Sequence, residues 1–215
     1  MTTPPTTAAT SASPPLARVR GLSVRRERQR LFRALDFDLP RGRALWIRGR
    51  NGSGKTTLLR VLAGLRKPDE GGVDWSGRRP LFIGHANALK DDLTVLESLR
   101  FAARLHRHRG DAASLEAALA RLKLDARRDQ PVRQLSQGLR RRVALARLAL
   151  ADEAEAWLLD EPHDALDDDS SATLDALIGE QLARGGAVAL THHGQVRLAA
   201  ERLDTLVLDR ASGAP

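Results

Sequence analysis

The 215-residue chain contains no cysteine and no tyrosine, a single methionine, and only 3% aromatic residues. Without cysteine it can form no disulfide, no thiolate-held zinc site, no iron–sulfur cluster and no thiol nucleophile, a composition suited to a reducing compartment. No apolar run approaches the roughly 18 residues that a membrane-spanning helix requires. Lysine is scarce too: of 35 basic residues only Lys55, Lys67, Lys90 and Lys123 are lysines, and the rest are arginines. Residues 1–15 carry no charged side chain and almost nothing apolar, so they are expected to form a disordered tail. They also lack the basic start and apolar stretch of a secretory signal.

What is present is enough for one ordinary domain, expected over residues 16–215, with 42% hydrophobic residues to fill its core. The net charge of +8 is unevenly spread. Residues 1–110 hold 22 basic and 9 acidic side chains, whereas residues 111–215 hold 13 and 18. Such a balance fits a polyanionic partner (nucleic acid, an anionic membrane surface or a phosphorylated ligand), or an arginine-rich composition with no dedicated partner. Short apolar runs at Ala44-Leu45-Trp46-Ile47, Leu81-Phe82-Ile83, Ala156-Trp157-Leu158-Leu159, Ala187-Val188-Ala189-Leu190 and Leu206-Val207-Leu208 have strand length. Continuous runs of this kind suit strands of a parallel sheet buried on both faces. Residues 55–65 have helical spacing through Leu58, Leu62 and Leu65. Residues 93–125 are also helical in pattern, which suggests a helical subdomain inserted at about 90–135.

Three motifs carry chemistry. Gly49-Arg50-Asn51-Gly52-Ser53-Gly54-Lys55-Thr56 fits G-x-x-x-x-G-K-[ST] between a strand and a helix. Its backbone N–H groups can surround phosphate oxygens, Lys55 can reach the terminal phosphates, Thr56 can offer its hydroxyl to Mg²⁺, and Thr57 continues the nucleotide-binding loop. Trp157-Leu158-Leu159-Asp160-Glu161 ends an apolar strand in two carboxylates. Asp160 is suited to hold the metal and Glu161 to orient or deprotonate an attacking water. Leu135-Ser136-Gln137-Gly138 opens a helix, where Ser136 is either a second anion-binding residue with Gly138 or simply a helix N-cap.

These motifs, followed in order by Ala165-Leu166-Asp167 and Thr191-His192, resemble those of ATP-binding cassette (ABC) ATPases over about residues 17–210. The resemblance implies an α/β P-loop NTPase of that type, with an inserted helical subdomain and an N-terminal antiparallel β region. It also implies MgATP as ligand and a head-to-tail homodimer with each ATP between one subunit's Lys55 loop and the other's Ser136. Asp167 is then expected at the dimer seam and His192 against the terminal phosphate, with His193 a bystander.

The stretch Ile83-Gly84-His85, followed by Lys90, Leu93-Thr94 and Glu97-Ser98-Leu99, resembles the ATPase subunit of Ccm-type haem exporters of cytochrome c maturation. This narrower resemblance implies a peripheral protein on the cytoplasmic face of the bacterial inner membrane, docked to integral membrane subunits through residues 85–130. His85 stands where most ABC ATPases have glutamine and is expected to sense the metal-bound water or the terminal phosphate.

The chain departs from the family at Leu139, where glutamine is usual, and at His163-Asp164. It also offers no tyrosine to stack on adenine, which leaves Arg26 for that contact and Phe32 to pack inward. His106 and His108, flanked by Arg104, Arg107 and Arg109, have poor ligand spacing, so no direct haem binding is expected. No nucleic-acid partner is expected either. The competing readings are an ATPase subunit of a different ABC transporter and a soluble nucleic-acid-associated ABC ATPase.

Overall fold

The computed structural model describes residues 13–27, 29–77, 80–106, 108, 110–151, 156–194 and 198–208. Residues 1–12 of the expected tail, Arg107, Arg109, and the last residues of the expected domain, 209–215, lie outside the described residues. The elements follow as β1 (Ala17–Arg26), β2 (Gln29–Leu39), β3 (Ala44–Arg48), α1 (Lys55–Leu62), β4 (Glu70–Trp75), β5 (Leu81–Ile83), α2 (Val95–His106), α3 (Ala112–Arg121), α4 (Gln137–Ala146), β6 (Ala156–Leu159), α5 (Asp168–Ala183), β7 (Ala187–Thr191) and β8 (Leu203–Val207).

Two sheets form. One has the order β5-β6-β7-β3-β8 and all its pairings are parallel; the other has the order β2-β1-β4 and is antiparallel. The apolar runs are explained by burial on both faces of the parallel sheet. Along β6, Ala156 and Leu158 face one core while Trp157 and Leu159 face the other, and along β7 Ala187 and Ala189 oppose Val188 and Leu190. The first core lies against α1, through Leu58, Leu59 and Leu62, and against Val19, Leu22 and Val24 of β1. The second receives Leu99 of α2, Leu115 and Leu119 of α3, Leu145 of α4, and Leu174, Leu177 and Ile178 of α5. The fold is thus an α/β layer arrangement with a separate antiparallel sheet on one side.

Some boundaries differ from those expected. Helix α1 stops at Leu62, because Ala63 caps it and Gly64 turns to φ 70°. The last strand ends at Val207, leaving buried Leu208 just beyond it. Asp168 and Asp169 form the first turn of α5, where carboxylates favourably face the helix dipole.

The parallel strands all end on the same side of their sheet. The P-loop follows β3, Gly84-His85 follows β5, Asp160-Glu161 follows β6 and His192-His193 follows β7. Ligands of open α/β sheets bind in this crevice beyond the carboxyl ends of the strands. Strand β6, which carries Asp160 and Glu161 at its end, therefore has to be rigid. Trp157, fully buried in β6, is its largest side chain, and Trp157→Ala is expected to cost about 3–5 kcal/mol. Urea unfolding monitored by circular dichroism checks this, with the midpoint lowered and the slope unchanged.

Candidate functional site

A cleft of about 360 Å³ opens at these strand ends, lined by the P-loop on one side and by Asp160, Glu161, Asp164, His85 and His193 on the other. Three glycines shape the P-loop. Gly49, Gly52 and Gly54 have φ of 147°, 80° and 102°, a region that disfavours side chains. A Cβ on Gly49 would also lie 2.5 Å from the Leu208 carbonyl oxygen. Asn51, Gly52, Gly54, Lys55, Thr56 and Thr57 line the cleft, whereas Gly49, Arg50 and Ser53 form the back of the loop. The Lys55 ammonium folds onto its own loop and donates to the Gly49 carbonyl at 2.8 Å. Arg26 and Leu31 border the same cleft, while Phe32 is buried in the core.

Asp160 lies at the centre of a buried hydrogen-bond chain. Its Oδ1 accepts from the Thr56 hydroxyl at 3.1 Å and from the Thr191 hydroxyl at 3.0 Å. The Thr191 oxygen in turn accepts the Glu161 backbone N–H at 2.8 Å. One carboxylate and one hydroxyl make a hard-oxygen donor set that suits Mg²⁺ once phosphate and water oxygens complete it. Among the described residues no group of three or more His, Cys, Asp or Glu could hold a metal alone.

Glu161 adopts φ 46°, strained for a residue with a side chain, and its Oε2 is buried without a partner. Burial pushes its carboxyl above the ordinary value, with Asp164 and Asp160 adding to the shift and His193 and Lys55 opposing it. A buried carboxylate of raised basicity aimed into a phosphate-binding cleft is what a general base requires.

The two histidines after β7 are placed differently with respect to the cleft. His193 Nε2 stands 3.4 Å from Glu161 Oε1 and lines the cleft. His192 does not line it. Its ring lies against that of His163, with centroids 4.6 Å apart, and its carbonyl accepts from the Trp46 indole. Successive residues leaving a strand point in opposite directions, so only one of the pair can face the cleft. His85 does reach the cleft, with Nδ1 3.5 Å from Asp164 Oδ2.

Ser136 and Gly138 do not line this cleft. Ser136 caps α4, accepting the Leu139 N–H at 3.3 Å, which leaves its hydroxyl hydrogen free to donate elsewhere. Gly138 is required by close packing, since a Cβ there would lie 2.8 Å from the Ala165 carbonyl oxygen. Asp167 caps α5 by accepting the Ser170 N–H at 2.8 Å, and the Ser170 side chain first and this backbone bond second hold its carboxyl below the ordinary value. His106 and His108 are close, because α2 ends at His106 and the two rings stack with centroids 5.4 Å apart.

Arg141 has a structural importance that its sequence does not reveal. Its guanidinium donates to the carbonyls of Gly84 (2.8 Å), Asp160 (3.0 Å), Glu161 (2.7 Å) and Pro162 (3.2 Å), and to Asn87 Oδ1 (3.1 Å). It lies in a run of three arginines, and nothing in the run marks the middle one as buried.

Comparison with known proteins gives the family and the fold. Residues 32–164 match the family model described as ABC transporter. The cytochrome c biogenesis ATP-binding export protein CcmA 2 of Cupriavidus metallidurans is 46% identical over 91% of this chain and 95% of its own length. The CcmA of Vibrio cholerae is 42% identical over 81% of this chain and 89% of its own. Among solved structures, an ATP-binding subunit of an ABC transporter superposes with a TM-score of 0.80 at 25% identity, covering 91% of this chain and 86% of that one. A putative ABC transporter ATP-binding protein from Pyrococcus furiosus gives 0.75 at 26%, covering 88% and 96%.

The raised Glu161 titration has a thermodynamic consequence. As pH rises, the unfolded chain releases this proton before the folded one does, so the folded state binds more protons and stability falls through the Glu161 titration. Glu161→Gln removes that loss. The variant is expected to be more stable than the parent at neutral pH, with the gain vanishing as pH drops below the ordinary glutamate range. Thermal melts across pH 4–8 check this.

Proposed function

The chain belongs to the ABC transporter family, alongside the cytochrome c biogenesis ATP-binding export proteins, and on that premise we propose how its residues work and what the work serves. It is an ATP-binding and ATP-hydrolysing transporter subunit that acts with membrane partners. No helix among the described residues is long and apolar enough to cross a membrane itself.

The observation that carries the mechanism is the convergence of Thr56, Asp160, Thr191 and Glu161 beyond the ends of β3, β6 and β7. When ATP enters, Lys55 exchanges the Gly49 carbonyl for phosphate oxygens, and the P-loop N–H groups surround the phosphates. Thr56 and Asp160 would hold Mg²⁺, which would supply neutralisation of the phosphate charge. Glu161 accepts a proton from the attacking water as the new oxygen–phosphorus bond forms and the bond to the departing ADP breaks. His193 keeps Glu161 aligned and faces the terminal phosphate. His85 contacts the same region from the end of β5 and passes its occupancy to α2.

Two copies assemble head to tail, so that the Ser136 end of α4 in each closes the other's nucleotide. The position of Ser136 and Gly138 at the start of α4, outside the chain's own cleft, supports this arrangement. The dimer sits on the cytoplasmic face of the inner membrane, bound to integral subunits through the 85–130 region, and drives the handling of haem for cytochrome c biogenesis. The names of the relatives and the Gly84-His85 stretch support this role.

In the purified membrane complex, Glu161→Gln is expected to lower phosphate release at least about 100-fold while retaining MgATP binding. Lys55→Ala is expected to weaken binding itself. His85→Ala is expected to keep ATP affinity and hydrolysis but to lose their dependence on the membrane partner. Hydrolysis undiminished in Glu161→Gln contradicts the mechanism.

A further inference from the structure

His163 and His192 are left unused by the reaction as described, yet their rings lie in contact beside it. His163 Nε2 donates to Asp175 Oδ1 of α5 at 2.8 Å, and both side chains are largely buried. Its ring lies against His192, at 4.6 Å between centroids and a tilt of 43°. His192 is held on other sides as well. Its carbonyl accepts from Trp46 Nε1 at 3.3 Å, and a side chain on Gly194 would begin 2.7 Å from His192 Nε2. Burial first, and the His163 ring second, hold His192 below its ordinary value, with Asp164 and Asp175 opposing and His193 adding to the shift. A His192 ring held neutral can therefore lie against His163 without charge repulsion.

The position of this contact in the chain gives it meaning. His163 lies two residues after Glu161, and His192 lies one residue before His193. The His193 side chain is 60% exposed, and its polar partner among the described residues is Glu161. An exposed imidazole has no packing of its own to fix it, so its place is set by the backbone on which it stands.

We propose that Asp175, His163 and His192 form a positioning clamp that holds the loop carrying Glu161 against the loop carrying His193. Asp175 ties the first loop to α5, and the ring contact ties the first loop to the second. The clamp touches no substrate and acts only through the Glu161–His193 spacing. It rests on the catalytic role given to Glu161 above.

The test is MgATP hydrolysis by the purified membrane complex carrying His163→Ala or His163→Phe, with Glu161→Gln in the same series. His163→Ala is expected to lower kcat about 10-fold or more while KM for ATP changes less than about twofold, because the reacting groups are misplaced and the P-loop is intact. His163→Phe keeps a ring against His192 but loses the bond to Asp175, and is expected to be faster than His163→Ala and slower than the parent. Parent-like kcat in His163→Ala, a loss confined to KM, or a Phe variant as slow as the Ala variant overturns the clamp. If His163→Ala does not fold, His192→Ala carries the same expectation and the same refutation. Undiminished hydrolysis in Glu161→Gln would instead overturn the catalytic assignment on which the clamp depends.

Discussion

The guanidinium of Arg141 is the interaction on which the site depends. Four backbone carbonyls from two different strand ends, Gly84 after β5 and Asp160, Glu161 and Pro162 after β6, point at it. The Glu161 carbonyl also accepts the Asp164 N–H at 3.2 Å, and the guanidinium gives all four carbonyls a donor in the interior. Burial lowers the arginine's pKa, and the carboxylates of Asp164, Asp160 and Glu161 oppose that cost. The bargain is local: a cation stays in the interior because a fan of carbonyl dipoles and nearby anions replaces water around it. Its effect is to fix the backbone of the two carboxylates and of the His85 turn relative to one helix.

That helix is α4, and its two ends look in different directions. Its start carries Ser136 and Gly138, outside the chain's own cleft and pressed against Ala165. Its interior carries Arg141, bound to the cleft's carboxylate loop. Between Glu161 and Ala165 the backbone passes twice through the left-handed region, at φ 46° and 63°. Strain of this kind persists only when surroundings over-determine it, and here Arg141, Thr191 and the Asp175–His163 pair do so. A displacement at the start of α4 would therefore be felt at Glu161 through a short and rigid path.

Much of this was legible in the sequence, and the reasons are physical. The P-loop and the Asp160-Glu161 pair are covalent neighbours, so their chemistry is written in consecutive letters. Strands β5, β6 and β7 were legible because burial on both faces leaves no polar residue to interrupt them. What is set by direction rather than identity was not. His192 and His193 are indistinguishable by composition, and only the strand's alternation selects the one that meets Glu161. Arg140, Arg141 and Arg142 look alike until the helix rotation buries one of them. Strands β1, β2 and β4 are half exposed, which mixes charged and apolar letters and hides their period. The spacing of Leu174, Leu177 and Ile178 in α5 was a usable signal, obscured by the acidic start of the helix. His163 stood out as a departure, but its partners are 12 and 29 positions away.

The central claim is that one chain supplies two halves of a nucleotide site that only a second copy can complete. Sedimentation of the Glu161→Gln chain, which binds MgATP without consuming it, addresses that claim directly. A dimer with MgATP that returns to monomer with MgADP is the predicted result. A monomer saturated with MgATP at every protein concentration would contradict it.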